Sequence, residues 1–317
     1  MIKFFRRYQS LKKIYTQETQ GIEHGKCYIF PKIDGTNAQT WFDGEQIMTG
    51  SRNRTLGETR ETDNAGFCKA MRADKRINDF HKKYPNVRLY GEWLVPHSLK
   101  TYRDDAWKKF YIFDVVVENN CEEETNDFRY LSYDEYKPML DEFQLDYVVP
   151  LYIIDCPTKE QLIHAMNNNI FLLADGAGVG EGIVVKNYSF VNRYGLVVWA
   201  KWVTSEFKEQ HYKTMGVPEI QNNSIVEKSM IEAGITRTLI AKEYFKIIQA
   251  EGTWERKFIP RLLEVVYYCF ITEEFWELLK VFKSPNVDFR LLESLCLAKT
   301  KELFPEMFKD GVSDFNI

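Results

Sequence analysis

The sequence predicts an α+β fold: an amino-terminal domain built on antiparallel sheets, followed by an all-helical carboxy-terminal domain. Three observations predict it. Short runs rich in β-branched and aromatic residues, bounded by turn signals such as Asp34-Gly35 and Asp43-Gly44, fill the first two thirds of the chain. Helical patterns are interleaved with these runs. Beyond about residue 204 the apolar spacing becomes helical throughout.

Taken in order, the expected strands are Cys27–Phe30, Ala38–Phe42, Gln46–Thr49, Arg88–Trp93, Phe110–Val117, Gly182–Val185 and Leu196–Trp202. Helices are expected near 64–83, 132–143 and 158–170. In the tail, Ser224–Gln249 carries Ile231, Ile235 and Leu239 at helical spacing, and Phe258–Lys283 carries Leu262, Val265, Val266 and Phe270. Asn286 to Met307 gives a further helical stretch, punctuated by Pro285 and Pro305. The tail aromatics are expected in its core. Met215-Gly216-Val217-Pro218 reads as a hinge, so the domains are drawn as 1–214 and 215–317.

The chain has 317 residues, 44% of them hydrophobic and 28% charged, with a formal net charge of −4. Such a composition excludes disordered, collagenous and fibrous chains, and the length suggests two domains at roughly 100–200 residues each. No apolar run approaches the ~20 residues that span a bilayer. The first residues lack a signal-peptide apolar region, which favours a cytoplasmic protein with no membrane partner. Six cysteines (Cys27, Cys68, Cys121, Cys156, Cys269, Cys296) lie far apart without a Cys-x-x-Cys pair. They read as reduced and mostly buried rather than as a disulfide or zinc framework. Residues 1–90 carry a balance of +7 and the remainder −11. The basic lobe suits a phosphate backbone, although a solvated surface of mixed charge gives the same count.

The sharpest local motif is Lys32-Ile33-Asp34-Gly35-Thr36-Asn37, after the apolar stretch Tyr28–Phe30. A lysine at a strand end before an Asp-Gly turn can point its amine into a cleft. The pattern also matches many surface turns, and its weight comes from five further elements downstream. Ser51-Arg52-Asn53-Arg54, Tyr90-Gly91-Glu92-Trp93, Phe110 to Val115, Glu181 to Lys186 and Trp199-Ala200-Lys201-Trp202 succeed one another along the chain.

These six elements, in this order, resemble the motifs of the covalent nucleotidyltransferase superfamily of polynucleotide ligases and mRNA capping enzymes. The resemblance runs from about residue 5 to 212. Within it the chain is most similar to the RNA ligase 2-like branch: Phe5-Arg6-Arg7-Tyr8-Gln9-Ser10-Leu11 matches its amino terminus, Asn37 completes its Lys-x-x-Gly-x-Asn form, and Ser205 to Lys208 succeeds the last motif as in many such ligases. The resemblance implies an ATP-grasp-like nucleotidyltransferase domain, ATP and Mg2+ (or Mn2+) as cofactors, and RNA with 5′-phosphate and 3′-OH ends as substrate in RNA repair. A monomer is the expected state.

It also implies roles. Lys32 attacks the α-phosphorus of ATP to give lysyl-AMP; AMP then passes to an RNA 5′-phosphate, and a 3′-hydroxyl displaces it. Asp34 orients the lysine or the metal, with plain turn chemistry as the alternative. Arg52 grips nucleotide phosphate or ribose, Glu92 accepts the ribose hydroxyl, and Phe113 stacks on adenine. Glu181 helps hold the metal, and Asp114 is either a metal contact or an acceptor behind it. Lys186 and Lys201 contact the α-phosphate, while Asn37 and Arg54 face the RNA. The chemistry is coherent, since a free lysine is mostly protonated at pH 7 and nearby cations favour its neutral form. The same cations stabilise charge developing on phosphorus.

Two positions depart from the branch. Asp34 stands where His is frequent, in the form common to DNA ligases and capping enzymes. Trp199 stands where the first lysine of Lys-x-Lys is usual, so Trp199→Lys is expected to speed adenylylation by restoring a cation. A DNA ligase or a GTP-using capping enzyme usually appends an OB domain; the tail here reads as helices, with 15 Lys/Arg against 18 Asp/Glu after residue 205. A non-catalytic RNA-binding module would keep the basic lobe and aromatics but has no need of the ordered Lys32, Glu92, Glu181 and Lys201.

Overall fold

The computed structural model describes residues 1–59, 62–95, 102–203, 226–282 and 285–310. They belong to two compact units, divided between residues 203 and 226. The expected boundary at 214/215, the Met215–Pro218 hinge and the Ser205 to Lys208 run lie outside the described residues.

In the amino-terminal unit, one sheet has the order β1 (Lys12–Lys13), β10 (Ala200–Val203), β9 (Gly182–Lys186), β2 (Lys26–Lys32), β8 (Tyr152–Asp155). The other runs β4 (Ile47–Ser51), β3 (Thr36–Phe42), β5 (Val87–Leu94), β6 (Lys109–Glu118), β7 (Phe128–Tyr130). Every pairing is antiparallel except β1 with β10.

Side-chain alternation sorts the first sheet into two faces. Cys27, Ile29, Ile183, Val185, Ala200 and Trp202 pack outward against Leu162, Ala165 and Met166 of α4 (Lys159–Asn167). Phe30, Val184 and Trp199 point the other way, into the core shared with the second sheet. That second sheet is covered in turn by α1 (Phe67–Ala73) and α2 (Lys75–Lys83), with Phe67 against Trp93 and Phe110 at 5.5 and 5.0 Å. From α3 (Tyr133–Glu142), Tyr133, Tyr136 and Leu140 join the same core. Cysteines 27 and 68 are buried and 156 is exposed, and all six are free thiols.

Local chemistry explains where the expected elements shift. The helix expected near 64–83 is two helices, because Asp74 takes an extended conformation and its carboxylate accepts the Arg76 N–H at 2.8 Å as a cap. The strand expected from Leu196 starts only at Ala200. Asn192 Oδ1 accepts the N–H groups of both Tyr194 and Leu196 at 3.0 Å, holding those residues in a turn. Strands β1, β7 and β8 are short and lack strong alternation, and the sequence signalled none of them.

The carboxy-terminal unit is helical in its described residues: α5 (Val226–Gly234), α6 (Arg237–Glu251), α7 (Ile259–Cys269), α8 (Phe275–Val281) and α9 (Phe289–Leu303). The single helix expected over Ser224–Gln249 breaks at Thr236, whose hydroxyl caps α6 through the Leu239 N–H at 3.2 Å. A π-helical turn, Phe270–Glu274, separates α7 from α8. Tyr244 packs on Trp254 and Phe304 at 4.3 and 5.0 Å, so these aromatics are core as expected. Among the described residues no helix is long and apolar enough to cross a membrane.

His81 carries a stability prediction. Its Nε2 lies 2.9 Å from the Thr40 hydroxyl, and burial, then the Arg88 guanidinium, pushes the imidazole from 6.5 down to about 3. A folded-state value below the unfolded one means stability present above pH 6.5 that is lost as pH falls towards 3, on the order of 4 kcal/mol. In urea unfolding between pH 6 and 4, the wild type should lose stability with a slope about one proton steeper than His81→Gln. Parallel slopes would mean the imidazole is hydrated in the fold.

Candidate active site

The inward faces of the two sheets share one core, and backbone register fixes which side chains stand beside one another at its edge. Lys32 ends β2, opposite Gly182 of β9; Lys201 lies opposite Val184 on the same face. Lys32 Nζ meets Glu181 Oε2 at 2.6 Å, both side chains about one-fifth exposed at 18% and 22%. A Cβ at Gly182 would lie 2.1 Å from the Trp202 carbonyl oxygen, so only glycine lets β10 approach β9 here.

The turn after Lys32 is tied down on both sides. The Asp34 N–H donates to the Tyr102 hydroxyl at 2.8 Å, and the Gly35 N–H to Glu92 Oε1 at 3.1 Å. A Cβ on Gly35 would sit 2.8 Å from the Trp93 carbonyl oxygen and 2.9 Å from Glu92 Cγ. Glycine is therefore required by proximity: the turn presses on β5, and Glu92 fixes the loop that carries the lysine. Tyr102 was missed by the sequence reading, since it stands alone outside any motif.

On the facing sheet, Asn37 of β3 pairs with Glu92 of β5, and Arg52 comes directly after Ser51, the last residue of β4. Asn37 Oδ1 and Arg52 Nε are buried without a hydrogen-bond partner. Two such atoms on adjacent strands are a cost that a bound polar ligand would offset. Arg54 is exposed, its carbonyl accepting the Ser51 N–H at 2.9 Å.

Phe113 sits at a β-bulge. Tyr90 pairs with Asp114 and Gly91 with Ile112, leaving Phe113 as the extra residue. The bulge aims Phe113 and Asp114 to the same side, and both meet Tyr8: the Phe113 ring at 5.1 Å, the carboxylate at 2.6 Å. Asp114 bridges the sheets. Its Oδ1 accepts from Lys186 Nζ at 2.8 Å, and its Oδ2 from Tyr8 and from Trp199 Nε1 at 3.1 Å. Lys186 also donates to the Phe113 carbonyl at 2.6 Å, with its ammonium 4.8, 5.5 and 5.8 Å from the Phe30, Trp199 and Phe113 rings. Burial lowers the Lys186 ammonium pKa, with Asp114 opposing; burial and Asp114 hold the Tyr8 phenol well above its ordinary value, so it stays a donor.

This arrangement corrects one expectation and narrows another. Lys186 was expected on the α-phosphate, but it is 2% exposed and bonded to Asp114. It also lies four residues along β9 from the partner of Lys32, or about 13 Å at strand rise. Asp114 was expected as a metal contact or as an acceptor behind one. It is fully buried with both oxygens taken by protein donors, so it is an internal acceptor. Among the described residues no three His, Cys, Asp or Glu side chains converge as a metal cage. Glu181 offers a hard, partly exposed oxygen, which fits a divalent ion that draws its remaining oxygens from substrate phosphate and water.

The first sheet thus presents Lys32 beside Glu181 at the end of β2, on a turn held by Glu92 and Tyr102. The family model for RNA ligases matches residues 25–203, and the chain belongs to that family. Among solved structures, a glutamate-to-alanine variant of Naegleria gruberi RNA ligase with AMP and Mn is 19% identical. It covers 67% of this chain and 60% of that one at a TM-score of 0.50, a likeness of fold. The same ligase with PPi is 21% identical over 67% and 60% at 0.49, and a lysine-to-alanine variant with ATP and Mn is 20% identical over 64% and 58% at 0.48. This chain thus spans about three fifths of those proteins. No curated protein matches it.

Proposed function

We propose that this protein is an ATP-dependent RNA ligase acting through lysyl-AMP. The observation that carries the reading is the Lys32–Glu181 contact at 2.6 Å, on a turn pinned by Glu92. A partly exposed amine held in place is what a covalent nucleotidyl step requires.

In this reading the Lys32 nitrogen forms a bond to the α-phosphorus of ATP as the bond to pyrophosphate breaks. The AMP then moves to an RNA 5′-phosphate, freeing the amine, and a 3′-hydroxyl displaces AMP to close the phosphodiester. Glu181 would hold the divalent ion, which supplies charge stabilisation to the phosphates when bound. Lys201, on the same face as Lys32, would meet the α-phosphate, and Arg52 the nucleotide through its unpartnered Nε. Glu92 accepts the ribose hydroxyl and Phe113 stacks on the base, which enters between the sheets in the ATP-grasp-like manner. Asn37 and Arg54 serve the RNA side, and Asp34 orients the turn. The Naegleria structures hold ATP or AMP with Mn, and we extend a nucleotide and a divalent cation to this chain. Its RNA 5′-phosphate and 3′-OH ends, and the division of labour between residues 1–214 and 215–317, belong to the same proposal.

The test offers radiolabelled ATP or GTP with Mg2+ or Mn2+, then nicked duplexes differing only in RNA or DNA on the 3′ side. Label on the protein from ATP, succeeded by sealing of RNA ends, is the expected result. Label from GTP alone would replace this reading with a capping activity, and no acid-labile adduct would replace it with RNA binding.

A further inference from the structure

We propose that Tyr8 and Trp199 are positioning residues for the nucleotide: they hold Asp114, and through it the Phe113 bulge, in the orientation that receives adenine. The proposal rests on the ATP-dependent ligase reading and deepens it.

Phe113 is a bulged residue, and a bulge has no ladder partner to fix its direction. The fixing groups lie around its neighbour. Asp114 accepts three hydrogen bonds, from Lys186, Tyr8 and Trp199, which come from three separate parts of the chain. Lys186 closes the circuit by donating to the carbonyl of Phe113 itself. Removing Tyr8 or Trp199 leaves Asp114 Oδ2 with one donor in place of two, which loosens the hold on the carboxylate and on the bulge beside it.

Tyr8 reaches this point because the amino-terminal segment is held along the second sheet. The Arg6 carbonyl accepts from Gln39 Nε2 and the Tyr90 hydroxyl at 3.0 and 3.1 Å, and the Phe4 carbonyl from Arg88 Nη2 at 2.8 Å. Arg6 and Arg88 both pair with the buried Glu118, at 2.8 and 3.2 Å. The Tyr8 ring then lies 4.9 Å from Tyr90 and 5.1 Å from Phe113, backing the latter. On the other side, the Trp199 indole is wedged against Tyr130 and Tyr188 at 5.4 and 5.2 Å, which leaves its N–H aimed at Asp114. With one ammonium and one carboxylate the cluster is neutral, so its role is geometric.

ATP binding by the full-length chain, measured by calorimetry without divalent cation, tests this together with the kinetics of adduct formation. Tyr8→Phe removes one hydroxyl and keeps the ring; Trp199→Phe removes the N–H and keeps an aromatic filler. Both should bind ATP about tenfold more weakly. The KM for ATP in adduct formation should rise by the same factor, while kcat falls less than about threefold. A merely structural role would lower the folded fraction and kcat at constant KM. Two variants that bind ATP as the wild type does would overturn the proposal and leave the ligase reading standing. A wild type that forms no adduct with ATP in the presence of Mg2+ or Mn2+ would overturn both.

Discussion

Lys32→Ala is expected to form no covalent adduct with ATP, a loss of at least about 10³-fold, while the protein stays folded. The structural side rests on exposure. The amine reaches a partly solvated Glu181, so truncation frees a carboxylate that water can take up, a cost within about 1 kcal/mol. The chemical side rests on placement: Lys201, two residues along the sheet from the register position of Lys32 and fixed on another strand, cannot take over the attack. Sealing of RNA already carrying a 5′-adenylate should survive in part, since that step uses the amine only as a charge. Gel analysis of labelled protein and the urea midpoint separate the two halves. A residual adduct would move the nucleophile elsewhere, and loss of soluble protein would make Lys32 a structural residue.

Much of this site was legible in the chain because strand register and sequence order carry the same information. Lys32, Glu92, Glu181 and Lys201 lie at strand ends or on strands where period-two alternation determines direction; Lys32, Glu181 and Lys201 come from the neighbouring strands β2, β9 and β10, and Glu92 from the other sheet. The strands lost to the reading were β1, β7 and β8, short pieces stabilised by their neighbours rather than by their own pattern. Lys186 was misread for a related reason. A lysine in a motif invites a phosphate, but only the three-dimensional approach of β9 to the Phe113 bulge reveals a carboxylate waiting for it. Tyr8 could be quoted as part of an amino-terminal signature, yet its target lies 106 residues away, and no local rule links the two. The helix breaks at Asp74 and Thr236 were recoverable from N-cap chemistry, since both carry side chains that compete for backbone N–H groups.

Trp199→Lys, which the sequence alone suggests should speed adenylylation, is expected instead to destabilise the protein and slow the step. Trp199 is fully buried between Tyr130 and Tyr188. Replacing the indole with a lysine stem forfeits most of that packing, and large-to-small changes of this kind cost about 3–5 kcal/mol. The new ammonium makes matters worse. It would enter a site where Asp114 already neutralises Lys186, adding a second buried cation to one carboxylate. Its only relief is to turn outward, which abandons Asp114 and undoes the hydrogen bond that Trp199 supplies. Urea titration should therefore show a fall in unfolding free energy of at least about 3 kcal/mol, with a lower adduct yield per folded molecule. Unchanged stability with faster adenylylation would show that water reaches Asp114 and that the position tolerates a cation after all. The indole therefore does not mark a missing cation: with Lys186 already committed to Asp114, a neutral N–H donor is what the remaining carboxylate oxygen can accept without an unpaired charge.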